Sequence, residues 1–268
     1  MSQSMKTAFL ILGAQRSGTS VTSHLLSQFG VDFGNPNHFI QFEHNPIFFE
    51  LKWVNEYNNK LINALGYSYT DFFLPLEEDF AKANTSDLEK ELQDHIKKEW
   101  DNKPLIGLKD PRIGLTFPIW EKILSANHYQ LNIILAFRHP FNFLKSNQKL
   151  FHNWKGWTDT RHFNFWLQLN LTAIYFTRHF SIYYLNYDHL MTNPLEEAQT
   201  LASFFYLDSE LVTQASLVVN PSYYHHQEVA ETGNPFVDNC YKLLCSHALY
   251  PADYLNYRTL TLTKDWEM

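Results

Sequence analysis

Between two apolar stretches, the run Gly13-Ala14-Gln15-Arg16-Ser17-Gly18-Thr19-Ser20 collects two glycines, one cation and three hydroxyls. A turn of this composition can hold a phosphate or sulfate group. Gly13 and Gly18 let the backbone turn tightly, so that successive amides and the start of a following helix point at one anion, and Arg16 and Ser17 lie inside the turn. A nucleotide hydrolase would carry Lys at position 19 to reach the outer phosphates, with the next hydroxyl on magnesium. Thr19 stands there instead, which weakens that chemistry. Other reactive residue types do not cluster. Cys240 and Cys245 are too few for a disulfide framework and lack the spacing of a zinc site, so they are expected to be reduced. The thirteen histidines are scattered, and the adjacent pair His225-His226 points apart on most backbones, so no metal is expected.

An anion loop works only if a strand leads into it and a helix leads out. The apolar run over 7–12 predicts a buried strand, and 20–29, with Val21, Leu25, Leu26 and Phe29 on one face, predicts the helix. A short second strand is expected over 31–34, a loop over 35–46 and a helix from 47 to about 65. The charged stretch 77–100 has a helical pattern, with Thr85-Ser86-Asp87 as its capping region. Strands over 105–108, 131–137 and 182–186 alternate with helices running to 123, over 141–150, over 161–180 and over 194–205. That alternation predicts an α/β, P-loop-like three-layer fold with a central parallel sheet flanked by helices. A polar, aromatic loop over 216–233 and a last helix over 236–249 complete the reading. With no repeat or linker to divide it, residues 1–268 are expected to form one domain, with helical and loop insertions around 35–100 and a C-terminal segment, 209–268, without an assignable motif.

Composition narrows the partners. The net charge of −7 argues against an extended nucleic-acid surface, which needs clustered Lys and Arg. No apolar run approaches the roughly 20 residues that span a bilayer, and the N-terminus lacks the pattern of a secretory signal. A cytoplasmic protein is the expectation.

The phosphate loop, Arg16-Ser17-Gly18-Thr19-Ser20 after a buried first strand, resembles the 5′-phosphosulfate loop of the sulfotransferases that use 3′-phosphoadenosine 5′-phosphosulfate (PAPS), in the Arg-containing form of Golgi-type and bacterial members. Arg138-His139-Pro140 follows a strand and Ser146 comes eight residues after Arg138, similar to that family's 3′-phosphate element. An arginine at a strand's carboxyl end and a serine two turns into the next helix can converge on one phosphate. Tyr187-Asp188-His189-Leu190 with trailing Asn193-Pro194 resembles the family's Tyr-Glu-Asp-Leu segment, with Asp188-His189 in place of Glu-Asp. Lys109-Asp110-Pro111 resembles the Lys-Asp-Pro element of tyrosylprotein and related bacterial members. Asn45-Pro46-Ile47-Phe48-Phe49-Glu50 is similar to a bacterial Asn-Pro-x-Gly-Tyr/Phe-Phe-Glu stretch, without its Gly.

The resemblance implies PAPS as co-substrate, held by Arg16, Ser17, Gly18, Thr19, Ser20, Arg138, Ser146 and Tyr187, and transfer to a hydroxyl or amine of a small-molecule or carbohydrate acceptor. It also implies that Arg16 and Lys109 meet the negative charge that develops on the bridging oxygen. An acceptor hydroxyl needs a base. Glu50, Glu43 and His44 are the candidates, and Asp110 and Arg112 are expected to pair or shape their loop. Two rivals remain: a P-loop-type kinase, marked by magnesium-dependent ATP turnover, and a nucleotide-binding protein without turnover. Trp53, Tyr57, the aromatics of 154–157 and those of 223–226 are candidates for stacking on an acceptor or for the core.

Overall fold

Lys6–Leu12 (β1) is apolar over its last five residues, all of which are buried, as expected of a strand covered on both faces. The computed structural model describes residues 6–41, 48–100, 103–150, 156–224, 230–249 and 251–262. Besides β1, the strands are β2 (Leu105–Lys109), β3 (Tyr129–Phe137) and β4 (Ile182–Asn186). They form one parallel sheet in the order β2-β1-β3-β4. The helices are α1 (Thr19–Gln28), α2 (Lys52–Ala64), α3 (Glu77–Lys82), α4 (Ser86–Trp100), α5 (Ile113–Ala126), α6 (Pro140–Leu150), α7 (Asp159–Phe176), α8 (Tyr187–Thr192), α9 (Pro194–Phe205), α10 (Val212–Ser216), α11 (Pro235–Cys245) and α12 (Pro251–Leu262).

Strand periodicity sorts the core into two halves. Ala8, Leu10 and Leu12 of β1 and Ile133, Leu135 and Phe137 of β3 face a cluster with residues from α2, α4, α5, α7, α11 and α12. Phe9, Ile11, Ile134 and Ala136 face the other way, toward α1, α8, α9 and α10. The three-layer expectation holds. The strand order leaves a crevice at the carboxyl ends of β1 and β3, where connections diverge to opposite sides of the sheet.

Several boundaries differ from the sequence expectation, each for a local reason. The strand expected over 31–34 reduces to a single bridge from Asp32 to Ile106 at the sheet edge. The helix expected from 47 begins at Lys52, because Leu51 is extended and bridges Phe39. The stretch 77–100 is two helices: Ala83 turns extended, and Thr85 donates its hydroxyl to Glu89 at 2.7 Å as α4 starts. The final helix stops at Cys245, and a further one, α12, buries Tyr254 and Tyr257. Trp53 and Tyr57 are core residues, with Trp53 packed on Trp100 and Trp120. Cys240 and Cys245 are both free. Among the described residues no helix is long and apolar enough to cross a membrane.

Gly13 shows how closely the loop after β1 presses on β3. Its φ is +118°, and a Cβ there would lie 2.0 Å from the carbonyl oxygen of Ala136. Gly13→Ala is therefore expected to cost about 3 kcal/mol or more of unfolding free energy, measured by urea denaturation. Gly30→Ala is the matched control, since its φ of +84° carries the backbone strain with nothing among the described residues within 4 Å, and a loss of only about 1 kcal/mol is expected. Equal losses would mean that the contact with Ala136 is immaterial.

Candidate active site

Each strand delivers a residue of interest to the same edge of the sheet. The loop 13–20 follows β1, Lys109 ends β2 beside Ile11, Arg138 follows β3 directly, and Tyr187 follows β4 directly. In the loop, Arg16 takes a left-handed φ of 64°, and Gly18, with φ 89°, is the N-cap of α1. Gly18 offers no side-chain cap, and the first turn of α1 carries no acidic residue, so the positive end of the helix is left for an anion. A Cβ on Gly18 would come 2.3 Å from Cδ2 of Tyr187, so glycine also lets that ring pack on the loop. The Ser17 hydroxyl is fully buried and has no hydrogen-bond partner among the described residues. Thr19 is buried on the first turn of α1, and Ser20 directs its hydroxyl to the carbonyl oxygen of Phe48 at 3.4 Å.

Arg16 and Ser146, 130 positions apart, meet: Nε of Arg16 donates to Oγ of Ser146 at 3.1 Å. Among the described residues Arg16 has no carboxylate partner. Burial draws its guanidinium below the ordinary value, Tyr187 opposes this, and Arg138 adds like-charge repulsion. Arg138 is buried, lies over the Tyr187 ring at 4.6 Å and approaches Asp188 with Nε 3.5 Å from the carboxylate. Ser146 thus meets Arg16, and Arg138 lies between Tyr187 and Asp188. Asp188 was named from the sequence within the segment after β4 but given no role; the structure sets it against Arg138. Its signal was its place directly after Tyr187.

Lys109 is not an exposed strand-end lysine. It is 3% exposed, and its Nζ donates to Oε1 of Glu50 at 2.5 Å and to the Phe48 carbonyl at 3.0 Å, with the Phe48 ring 4.1 Å away. Glu50 lies ahead of α2, not in a helical first turn, so a favourable helix dipole does not account for it. Its carboxyl is 5% exposed; burial pushes it up to about 7, against the pull of Lys109. The arm carrying Glu50 is fixed by Phe49, which adopts φ 56° where the resembled pattern has a nearby glycine. Its ring packs on Phe33 and Phe39 with centroids 5.1 and 5.6 Å away, and this packing offsets the left-handed strain. Arg112 pairs with Asp110 at 3.2 Å and so shapes its turn. Glu43 and His44 lie outside the described residues, as do Trp154 and His225-His226.

The edge therefore combines a glycine turn whose buried donors lack partners among the described residues, two arginines and a buried Lys-Glu pair. Such a set can hold an anionic group, meet charge developing on it and accept a proton. Among the described residues no three His, Cys, Asp or Glu side chains are grouped to hold a metal ion.

The fold is similar to the sulfotransferase domain from the Synechococcus PCC 7002 olefin synthase, with a TM-score of 0.45 and 18% identity over 98% of this chain and 97% of that one. It is also similar to sulfotransferase STF9 from Mycobacterium avium, with a TM-score of 0.41 and 12% identity over 84% of this chain and 69% of that one. No family model matches the chain, and no curated protein matches its sequence.

Proposed function

We propose that this protein is a sulfotransferase that uses PAPS to sulfate a hydroxyl or amine acceptor and releases adenosine 3′,5′-bisphosphate. The observation that carries the proposal is the hydrogen bond from Arg16 to Ser146, which joins the loop after β1 to the helix after β3. A nucleotide with anionic groups at both its 5′ and 3′ ends suits two phosphate elements on neighbouring strands better than a triphosphate, whose charge lies at one end.

The residues fit such a ligand. The buried, unpartnered hydroxyl of Ser17 and the uncapped start of α1 need an acceptor, and the glycine turn allows close backbone approach. On this reading Arg16, Ser17, Gly18, Thr19 and Ser20 hold the 5′ side, Arg138 and Ser146 the 3′-phosphate, and Tyr187 supports both arginines. PAPS, when bound, supplies the sulfuryl group. Arg16 and Lys109 then face the negative charge that develops on the leaving side, and Glu50 accepts the acceptor's proton at Oε1 or Oε2. The acceptor is a small molecule or carbohydrate.

Calorimetry tests the cofactor. Adenosine 3′,5′-bisphosphate is expected to bind about tenfold to a hundredfold more tightly than 5′-AMP, the range that one or two charge-assisted hydrogen bonds provide. Arg138→Ala should abolish the preference. Equal binding of the two nucleotides to the unmodified protein would overturn the assignment, as would ATP turnover that requires magnesium.

A further inference from the structure

Gln15, inside the phosphate loop, has had no role so far. Its Oε1 accepts a hydrogen bond from the Tyr69 hydroxyl at 3.0 Å, while its Nε2 is buried with no hydrogen-bond partner among the described residues. Tyr69 belongs to a segment without any helix or strand pattern, so the contact spans 54 positions that nothing in the sequence links. The amide is fixed from behind. Arg112 lies on the Tyr69 ring, 3.9 Å from its centroid, and is itself held by Asp110 and by Oδ1 of Asn59 at 2.9 Å. Asn59 donates to Asn55, and Asn55 donates to Asp110 at 3.3 Å, so the chain of contacts ties α2 and the turn after β2 to the phosphate loop.

This arrangement sets the direction of the amide. Burial pushes the Tyr69 phenol far above its ordinary value, with Arg112 opposing, so the phenol remains a donor and its proton goes to Oε1. Both hydrogens on Nε2 are then left without an acceptor among the described residues. Among the described residues the buried amide nitrogens of Asn58, Asn147, Asn164 and Gln168 are also without a partner; that of Gln15 is set apart by its place in the loop beside Arg16 and Ser17. Gln15, Arg16 and Ser17 are consecutive: an unpartnered amide, a guanidinium without a carboxylate and an unpartnered hydroxyl.

We propose that Nε2 of Gln15 donates to an oxygen of the sulfuryl group being transferred, and that Tyr69 and Arg112 are positioning residues that aim it. The inference rests on the sulfotransferase function proposed above.

The test compares two ligands without acceptor, PAPS and adenosine 3′,5′-bisphosphate, since only the first carries the sulfuryl group. In Gln15→Leu, PAPS affinity should fall about tenfold, the worth of one hydrogen bond to a charged group, with bisphosphate affinity within about twofold of the unmodified protein. Bisphosphate release from PAPS in the presence of acceptor should show kcat falling by at least the same factor. Tyr69→Phe keeps the ring under Arg112 and should give a smaller loss of the same kind. The double variant should match Gln15→Leu alone, because the hydroxyl acts through the amide. The inference is overturned if both ligands weaken equally, if neither changes, or if the two losses add. Should Gln15→Leu not fold, Tyr69→Phe decides the matter by the same ligand ratio. A failure of the underlying function shows separately, in unmodified protein that binds the bisphosphate no better than AMP.

Discussion

Replacing Lys109 by methionine is expected to lower turnover of PAPS by roughly 10²- to 10³-fold, the usual consequence of deleting one preorganised donor at a developing anion. Affinity for PAPS should stay within about threefold, because its bridging oxygen is uncharged and the charge that Lys109 meets appears only as the bond from sulfur to that oxygen breaks. The stability of the variant should itself depend on pH. Lys109 is the partner of a carboxylate that is 5% exposed, and without it burial, with Asp110 adding to it and Arg112 opposing, raises Glu50. A carboxyl raised above its unfolded value binds its proton more tightly when folded. The variant should therefore be close to normal stability near pH 5 and lose stability as pH rises toward 7 and beyond. Thermal melts across that range check the sign. If turnover and PAPS affinity fall together, Lys109 is a binding residue only.

Glu50→Gln should produce the second large loss, roughly 10²- to 10⁴-fold toward a weakly acidic alcohol, which depends on its base, and much less toward an acidic phenol. In the unmodified enzyme the rate should rise with pH through an apparent value near 7, since Glu50, raised to about 7 by burial against the pull of Lys109, must be ionised to take a proton. The variant should lose that limb. It should also be less stable by about 3 kcal/mol, because the amide leaves a buried ammonium without its counter-charge. The double replacement Lys109→Met, Glu50→Gln removes both charges and should restore stability without restoring activity, which separates chemistry from folding. Near-normal turnover in Glu50→Gln, with the loss appearing instead in Glu43→Gln or His44→Ala, would move the base into the preceding loop.

Much of the fold was legible because its signals are local. The four strands Lys6–Leu12, Leu105–Lys109, Tyr129–Phe137 and Ile182–Asn186 are short apolar runs, and a loop with glycines at 13 and 18 follows the first. The errors arose where a long-range contact overrides local pattern. The helical periodicity before Lys52 yields to the pairing of Leu51 with Phe39, and 31–34 lies beside β2 through one bridge because the chain turns away at the sheet edge. Helix α12 was missed because it shows little amphipathic contrast, although its tyrosines complete the core under Pro75 and Asn164.

The candidate site divides along the same line. By itself the sequence determined the loop Gly13–Ser20, the absence of a lysine at Thr19, and Lys109, Arg138 and Tyr187 at or just after strand ends, since residue type and strand phase follow from a few neighbouring positions. Only the tertiary structure decided that Lys109 is paired with Glu50, 59 positions away, that Ser146 serves Arg16, and that Tyr69 holds Gln15. Those contacts depend on strand order and register, here β2-β1-β3-β4 with Ile11 beside Lys109. The free energy that selects such an order is spread over the whole core and is carried by no single stretch of chain.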